Sequence, residues 1–301
     1  MGVLAIVAAL LLEQWHPVAD RKAWDAALTQ AANWLEASFN AGEARHGMIA
    51  WAVAVLPVMV GVVGLYHFFL WLHPLLALAF NVVALYLTLG FRRFSHFFTD
   101  IRSAIRDGDA DRAREILGLW RGEPCSHRSR EEVIRLTIEE ALVHSHRHVF
   151  GVLFWFVLLP GPSGAFLYRL AVFLDRRWGV LGEFGHAARS VRRWLEWPAV
   201  RLTAAAFAVV GDFEDAIYCW RTQAATWSDA QLGIVLAAGA GAMGVRLGMP
   251  LSEVGAPLAR PDLGVGEAAD APFLDSTVGL LWRALVLWIF VLLVASAVRI
   301  L

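Results

Sequence analysis

The chain has 301 residues, 58% of them hydrophobic, with 14 Trp, only 18% charged residues and a formal net charge of −1. Soluble domains are usually about 45–50% apolar, so this composition excludes an ordinary soluble fold and points to a polytopic membrane protein. Near neutrality removes the electrostatic case for a nucleic-acid partner. Cys125 and Cys219 lie far apart with no metal-ligand spacing, and read as free structural thiols.

In chain order, Gly2–Leu12 is apolar but too short to span. It lacks a basic leader region and a small-residue cleavage site, so it is expected to be retained. Trp15 and His16-Pro17-Val18 follow, with Trp15 suited to a membrane interface. Asp20–Phe39 carries Trp24, Leu28, Ala31, Leu35 and Phe39 at helical spacing, which predicts an amphipathic surface helix. Met48–Leu72 is long enough to cross a bilayer, and Pro74–Gly90 is expected to cross back. Arg92-Arg93 directly after that hairpin places its end, and the polar segment Phe91–Arg147, on the cytoplasmic side. Within the segment, Asp109 predicts an N-cap, and Ser129-Arg130-Glu131-Glu132 has the form of a capping box.

Two apolar arms, Val149–Leu159 and Ala165–Leu174, then flank the break Pro160-Gly161-Pro162-Ser163-Gly164. Each is shorter than the ~20 residues of a spanning helix, which predicts a re-entrant hairpin. Val200–Val210 is a further short arm, and Gln231–Gly248 is rich in Gly and Ala, a composition that lets helices approach closely. Met249–Asp275 reads as loop, and Val278–Val298 as a last full span. The expected fold is all-α and polytopic, a single domain with about three full spans plus short re-entrant or interfacial helices.

Candidate site residues come from charge inside apolar sequence. Arg169, Arg201 and Arg246 sit in or beside apolar arms, where an unpaired guanidinium is costly; each is either a ligand for a carboxylate or phosphate, or snorkels or pairs with Asp175 or Glu139. His144 and His148 share a helix face at i, i+4, a spacing that can hold a metal, with Glu140 one turn before; boundary histidines also simply bridge water and lipid.

The order of motifs resembles the CobD/CbiB family of integral membrane proteins, the adenosylcobinamide-phosphate synthases of the cobalamin pathway, and its relative AmpE, linked to β-lactamase induction. His16-Pro17-Val18 is similar to the family's early His-Pro-Val. Thr137-Ile138-Glu139 and Leu153-Phe154-Trp155 resemble the Thr-Val-Glu and Leu-Phe-Trp around its central motif. Pro162–Arg169 with Leu174-Asp175, Trp197 with Arg201-Leu202-Thr203-Ala204, and Ala237–Pro250 resemble its later motifs. The departures remove acids. The family's Gly-Asp-Pro is absent, its Glu-Asn and Asp-Gly fall on Val143-His144 and Arg147-His148, and its Asp-Asp falls on Arg192-Arg193.

The resemblance offers His16, Glu139, Arg169, Asp175, Arg201 and Arg246 as ligand-binding residues. Acid loss, together with an AmpE-like stretch at Ala208–Trp220, implies an inner-membrane regulatory or signalling protein. The alternative is a working synthase that joins aminopropanol, or its phosphate, to the adenosylcobyrate carboxylate with ATP and Mg²⁺. A transporter is a weaker third reading, since broken helices also line transport sites. Expected partners are the lipid bilayer, a corrinoid or cell-wall-related small molecule, and a second copy of the chain.

Overall fold

A computed structural model describes residues 2–15, 22–251 and 259–298, and most of them are helical. His16, with the His-Pro-Val motif, lies outside the described residues. The chain divides into two compact units, Met1–Leu89 with Gly151–Ala199, and Gly90–Phe150 with Val200–Leu301.

The first unit contains α1 (Gly2–Trp15), α2 (Lys22–Phe39), α3 (Ala44–Leu72), α4 (Pro74–Thr88), α8 (Gly151–Leu158), α9 (Ser163–Trp178) and the start of α10 (His186–Val210). Its core joins Ala32 and Leu35 of α2 to Ala50 and Val55 of α3, and to Leu174, Trp178 and Phe184. α2 is thus amphipathic, with Leu35 buried as its periodicity predicts but Ala32 buried in place of the exposed Ala31, and Trp34 left 65% exposed opposite the buried pair. Along α3, Leu56, Val60 and Phe68 are exposed on one stripe, the surface a lipid-facing helix presents.

The second unit holds α5 (Phe91–Arg106), α6 (Ala110–Arg121), α7 (Arg130–Ser145), a π-turn (His146–Phe150), the end of α10, α11 (Phe213–Gln223), α12 (Ala230–Met243) and α13 (Ala271–Val298). Both predicted caps form. Asp109 Oδ1 accepts from the Arg112 N–H at 3.0 Å. Ser129 and Glu132 exchange both capping-box bonds, at 3.1 and 2.7 Å. The small-residue pattern of α12 is used for close packing. A Cβ on Gly241 would come within 2.4 Å of the Asp215 carbonyl of α11, so no larger residue fits there.

Three helices are long and apolar enough to cross a membrane: Ala44–Leu72, Arg130–Leu158 and Ala271–Ser296. The number matches the expectation, but one member differs. α4 is only 15 residues long. The third place is taken by the continuous 29-residue helix of α7, the π-turn and α8. Its polar first half hides its length from a search for apolar runs, because most of its apolar stretch is buried in protein rather than facing lipid.

The break at Pro160–Gly161 therefore does not separate two short arms in the way the sequence suggests. The first arm is the end of that long helix, and the second lies inside the 16-residue α9. A Cβ on Gly161 would come within 2.5 Å of the Tyr66 ring. The far end of α9 packs instead near Ala50. Ala50 and Tyr66 are about 24 Å apart along α3 at 1.5 Å per residue, so α9 runs beside most of α3 and the break forms the tip of a deep hairpin.

The segment read as loop contains a small sheet of order β2-β1-β3, with β1 at Val245–Gly248, β2 at Asp262–Leu263 and β3 at Glu267–Ala268. β1 pairs antiparallel with β2 through Leu247–Leu263 and parallel with β3 through Val245–Glu267. Met249, with φ 58°, is the one non-glycine among the described residues in the left-handed region.

Candidate functional site

Glu139 is the centre of the second unit's polar interior. It lies on α7, 4% exposed, where a lone carboxylate would be strongly disfavoured. The sheet supplies its partners. The Gly248 N–H at the end of β1 donates to Oε1 at 2.9 Å, and Arg260, just before β2, donates to Oε2. The Arg260 guanidinium also lies 4.7 Å from the centre of the Trp227 ring, a cation–π contact. Arg135, one turn before Glu139, donates to the Pro250 carbonyl at 3.1 Å and to Met249 Sδ at 3.5 Å. This pins the strained residue that carries the chain away from Gly248.

A cavity of about 350 Å³ opens beside these groups. Four guanidiniums line it (Arg121, Arg128, Arg147 and Arg260), with the carboxylates of Glu123, Glu139 and Glu140 and the Trp227 ring. Arg121 engages two of the acids, Glu123 at 2.6 Å and Glu140 at 2.5 Å. Burial works against the charge on Arg121, but the adjacent Glu140 and Glu123 outweigh it and hold its pKa above the ordinary value. The other Glu140 oxygen is 3.4 Å from His144 Nε2. Arg147 stands in the π-turn, 3.9 Å from Asp229, the N-cap of α12. π-turns inside α-helices occur often at functional sites. Next to Arg147, the buried His146 Nδ1 meets Thr203 Oγ1 at 2.9 Å, tying the turn to α10.

Four guanidiniums against three carboxylates leave the cavity wall with an excess of positive charge. Both Glu139 oxygens are occupied, so Glu139 orients Arg260 and the sheet rather than taking a proton from a ligand. His144 and His148 do not converge on a metal. Their rings stack 5.1 Å apart at an interplanar angle of 11°, and stacked rings aim their in-plane lone pairs side by side rather than at one point. Among the described residues no three His, Cys, Asp or Glu side chains form a group that could hold a metal ion.

Of the residues singled out from sequence, the cavity gathers Glu139, with Glu140 from the proposed metal set. Arg201 is half-buried on α10. Arg246 is exposed on β1 rather than set in an apolar arm. Arg169 and Asp175 belong to α9 of the first unit. Asp175 pairs there with Arg192 at 2.6 Å, and Arg192 also binds the fully buried Glu196. Arg192 is thus the centre of an ion triad, a role its position in the missing Asp-Asp motif gave no hint of. Sequence reasoning also missed Arg121, Arg128, Arg260 and Trp227. The available signal was that Glu139, beside Ile138 and Glu140 on a helix that runs into apolar sequence, needs a cation, and Arg260 is the only Arg or Lys in the segment read as loop.

The fold and cavity define a helical membrane protein with a charged, cation-rich interior pocket. The family model described as CobD/Cbib protein matches residues 4–297, and the chain belongs to that family. Among similar proteins is the cobalamin biosynthesis protein CobD of Stutzerimonas stutzeri, 35% identical over 298 residues, covering 96% of each chain. That of Chromobacterium violaceum is 38% identical over 227 residues, covering 74% of this chain and 72% of the relative. That of Mycobacterium tuberculosis is 28% identical over 235 residues, covering 74% of each. No solved structure matches the chain.

Proposed function

We propose that this chain is a multi-pass inner-membrane protein of cobalamin biosynthesis that forms the amide between aminopropanol, or its phosphate, and the adenosylcobyrate carboxylate. The observation that carries this reading is the similarity to the Stutzerimonas protein, which covers 96% of both chains and whose name is a biosynthetic one. The relatives named above all carry that name, so they support the synthase reading over the AmpE-like signalling role that acid loss suggested.

The reaction requires one carboxylate oxygen to leave with the γ-phosphate of ATP, so that the C–N bond forms as the C–O bond breaks and the amine gives up a proton. The cavity's guanidiniums fit the phosphate part of this chemistry, since planar guanidinium donors match phosphoryl oxygens. Its carboxylates do not fit a protein-held Mg²⁺. Arg121 occupies Glu123 and Glu140, while Arg260 and Gly248 occupy Glu139.

Complementation tests the proposal. The chain is expressed in a bacterium that depends on its own cobalamin and lacks its equivalent gene. Growth without added cobalamin is expected. No growth, with the full-length chain present in the membrane, would refute the assignment.

A further inference from the structure

We infer that one end of the first unit, around Arg177, Arg189 and Arg193, is a binding surface for the headgroups of anionic phospholipids. It goes beyond the proposed reaction and does not draw on the cavity.

Packing sets the level of this end. Leu174 and Trp178, in the last two turns of α9, share a core with Ala32 and Leu35 of α2 and with Ala50 of α3. Ala50 is six positions after Ala44, where α3 begins, so it lies about 9 Å along the helix at 1.5 Å per residue. The 29-residue helix is about 44 Å long against a hydrocarbon layer of about 30 Å, and Glu43, Arg45 and His46 mark its start as a polar end. Its first turns therefore stand at the boundary of lipid and water, and the end of α9 stands there with them. α10 joins the same level, because Arg192 pairs with Asp175 of α9 at 2.6 Å.

Exposed indoles and guanidiniums gather at this level. Trp194 is 80% exposed, and Trp34 on α2 and Trp197 on α10 are exposed as well, as Trp commonly is at a membrane surface. Three guanidiniums have no carboxylate partner among the described residues. Arg177 donates to the Asn33 side-chain oxygen on α2, next to Trp34. Arg189 donates to the Gly179 and Gly182 carbonyls of the turn before α10. Arg193 is exposed and makes no hydrogen bond or ion pair among the described residues. Arg176 is also exposed at the end of α9. Of the described acids on these elements, Asp175 and Glu196 are both taken by Arg192, which leaves the half-buried Glu36 and the exposed Glu183.

An anionic headgroup complements this surface. Its phosphate oxygens match forked guanidinium donors, and its acyl chains lie beside the exposed indoles. A soluble phosphate would use the arginines but not the indoles, so the surface fits a lipid. The topology drawn from Arg92-Arg93 puts the start of α3 in the cytoplasmic leaflet, where anionic lipids attract basic clusters of this kind.

Equilibrium binding to the purified full-length protein in detergent tests the inference. The probe is phosphatidylglycerol labelled on an acyl chain, competed by unlabelled phosphatidylglycerol, phosphatidylcholine or glycerol phosphate. Phosphatidylglycerol is expected to compete at least about tenfold better than phosphatidylcholine, and salt should shrink that advantage by screening the charges. Arg193 has no partner among the described residues, so Arg193→Ala should keep the parent's melting temperature. It should weaken phosphatidylglycerol binding about fivefold, with most of the loss restored in Arg193→Lys. Adding Arg177→Ala should weaken binding about fivefold again. Equal competition by the two lipids, or a double variant that binds phosphatidylglycerol like the parent, would overturn the inference. Competition by glycerol phosphate as strong as by phosphatidylglycerol would overturn it in favour of a soluble phosphate ligand.

Discussion

Arg260 and Glu139 are 121 positions apart in sequence, and their ion pair fastens the small β-sheet to the long helix that carries the π-turn. One pair therefore sets both a structural joint and one wall of the cavity. Its removal should be felt in stability and in ligand binding together.

Glu139→Ala leaves the Arg260 guanidinium buried beside the cavity without its carboxylate, and removes the acceptor for the Gly248 N–H. Breaking a buried pair from one side typically costs about 3–5 kcal/mol, so a clear loss of thermal stability in detergent is expected. Combining Glu139→Ala with Arg260→Ala should recover part of that loss. Strictly additive losses would show that the pair contributes nothing as a pair.

The first unit offers a parallel case. Arg192 binds both Asp175 and Glu196, and Glu196 is completely buried. Arg192→Ala should destabilise more than Asp175→Ala, because it strands two carboxylates rather than one cation that keeps a second partner. The order of the two melting temperatures decides it.

Both cysteines are buried. Burial pushes the Cys219 thiol up to about 11 from an ordinary value of 9.0. The folded protein holds this proton more tightly than the unfolded chain. The group's contribution to stability is therefore complete below pH 9.0 and is lost as pH rises towards about 11. Melts across this range should fall more steeply for the parent than for Cys219→Ala. Equal slopes would contradict the assignment.

Burial also makes Cys125, at 3% exposure, a poor reporter of sidedness. The exposed neighbour Ser126 is a better one. In a chain without native cysteines, Ser126→Cys should resist an impermeant maleimide in intact spheroplasts and react after lysis. Labelling from outside would reverse the topology drawn from Arg92-Arg93.

Much of the helical framework was legible because it rests on local chemistry. Asp109, Ser129 and Glu132 act within one turn of themselves, and the apolar lengths of α3 and α13 declare their reach. The long helix was harder to see. Arg135, Glu139 and Glu140 make its first half look polar, and only tertiary partners show where those charges go. The cavity was the least legible part. Glu139 stood out as a charge in apolar surroundings, but Arg121, Trp227 and Arg260 join it through long-range packing that no motif encodes. His144 and His148 had metal-ligand spacing, and ring stacking uses that same spacing for another purpose.

The most direct measurement is product formation. Membranes containing the chain are incubated with adenosylcobyrate, aminopropanol phosphate, ATP and Mg²⁺, and the corrinoid is followed by mass spectrometry. The account predicts the amide, dependent on ATP and reduced at least about tenfold by Arg260→Ala. No amide, under conditions where the Stutzerimonas stutzeri relative forms it, would contradict the account.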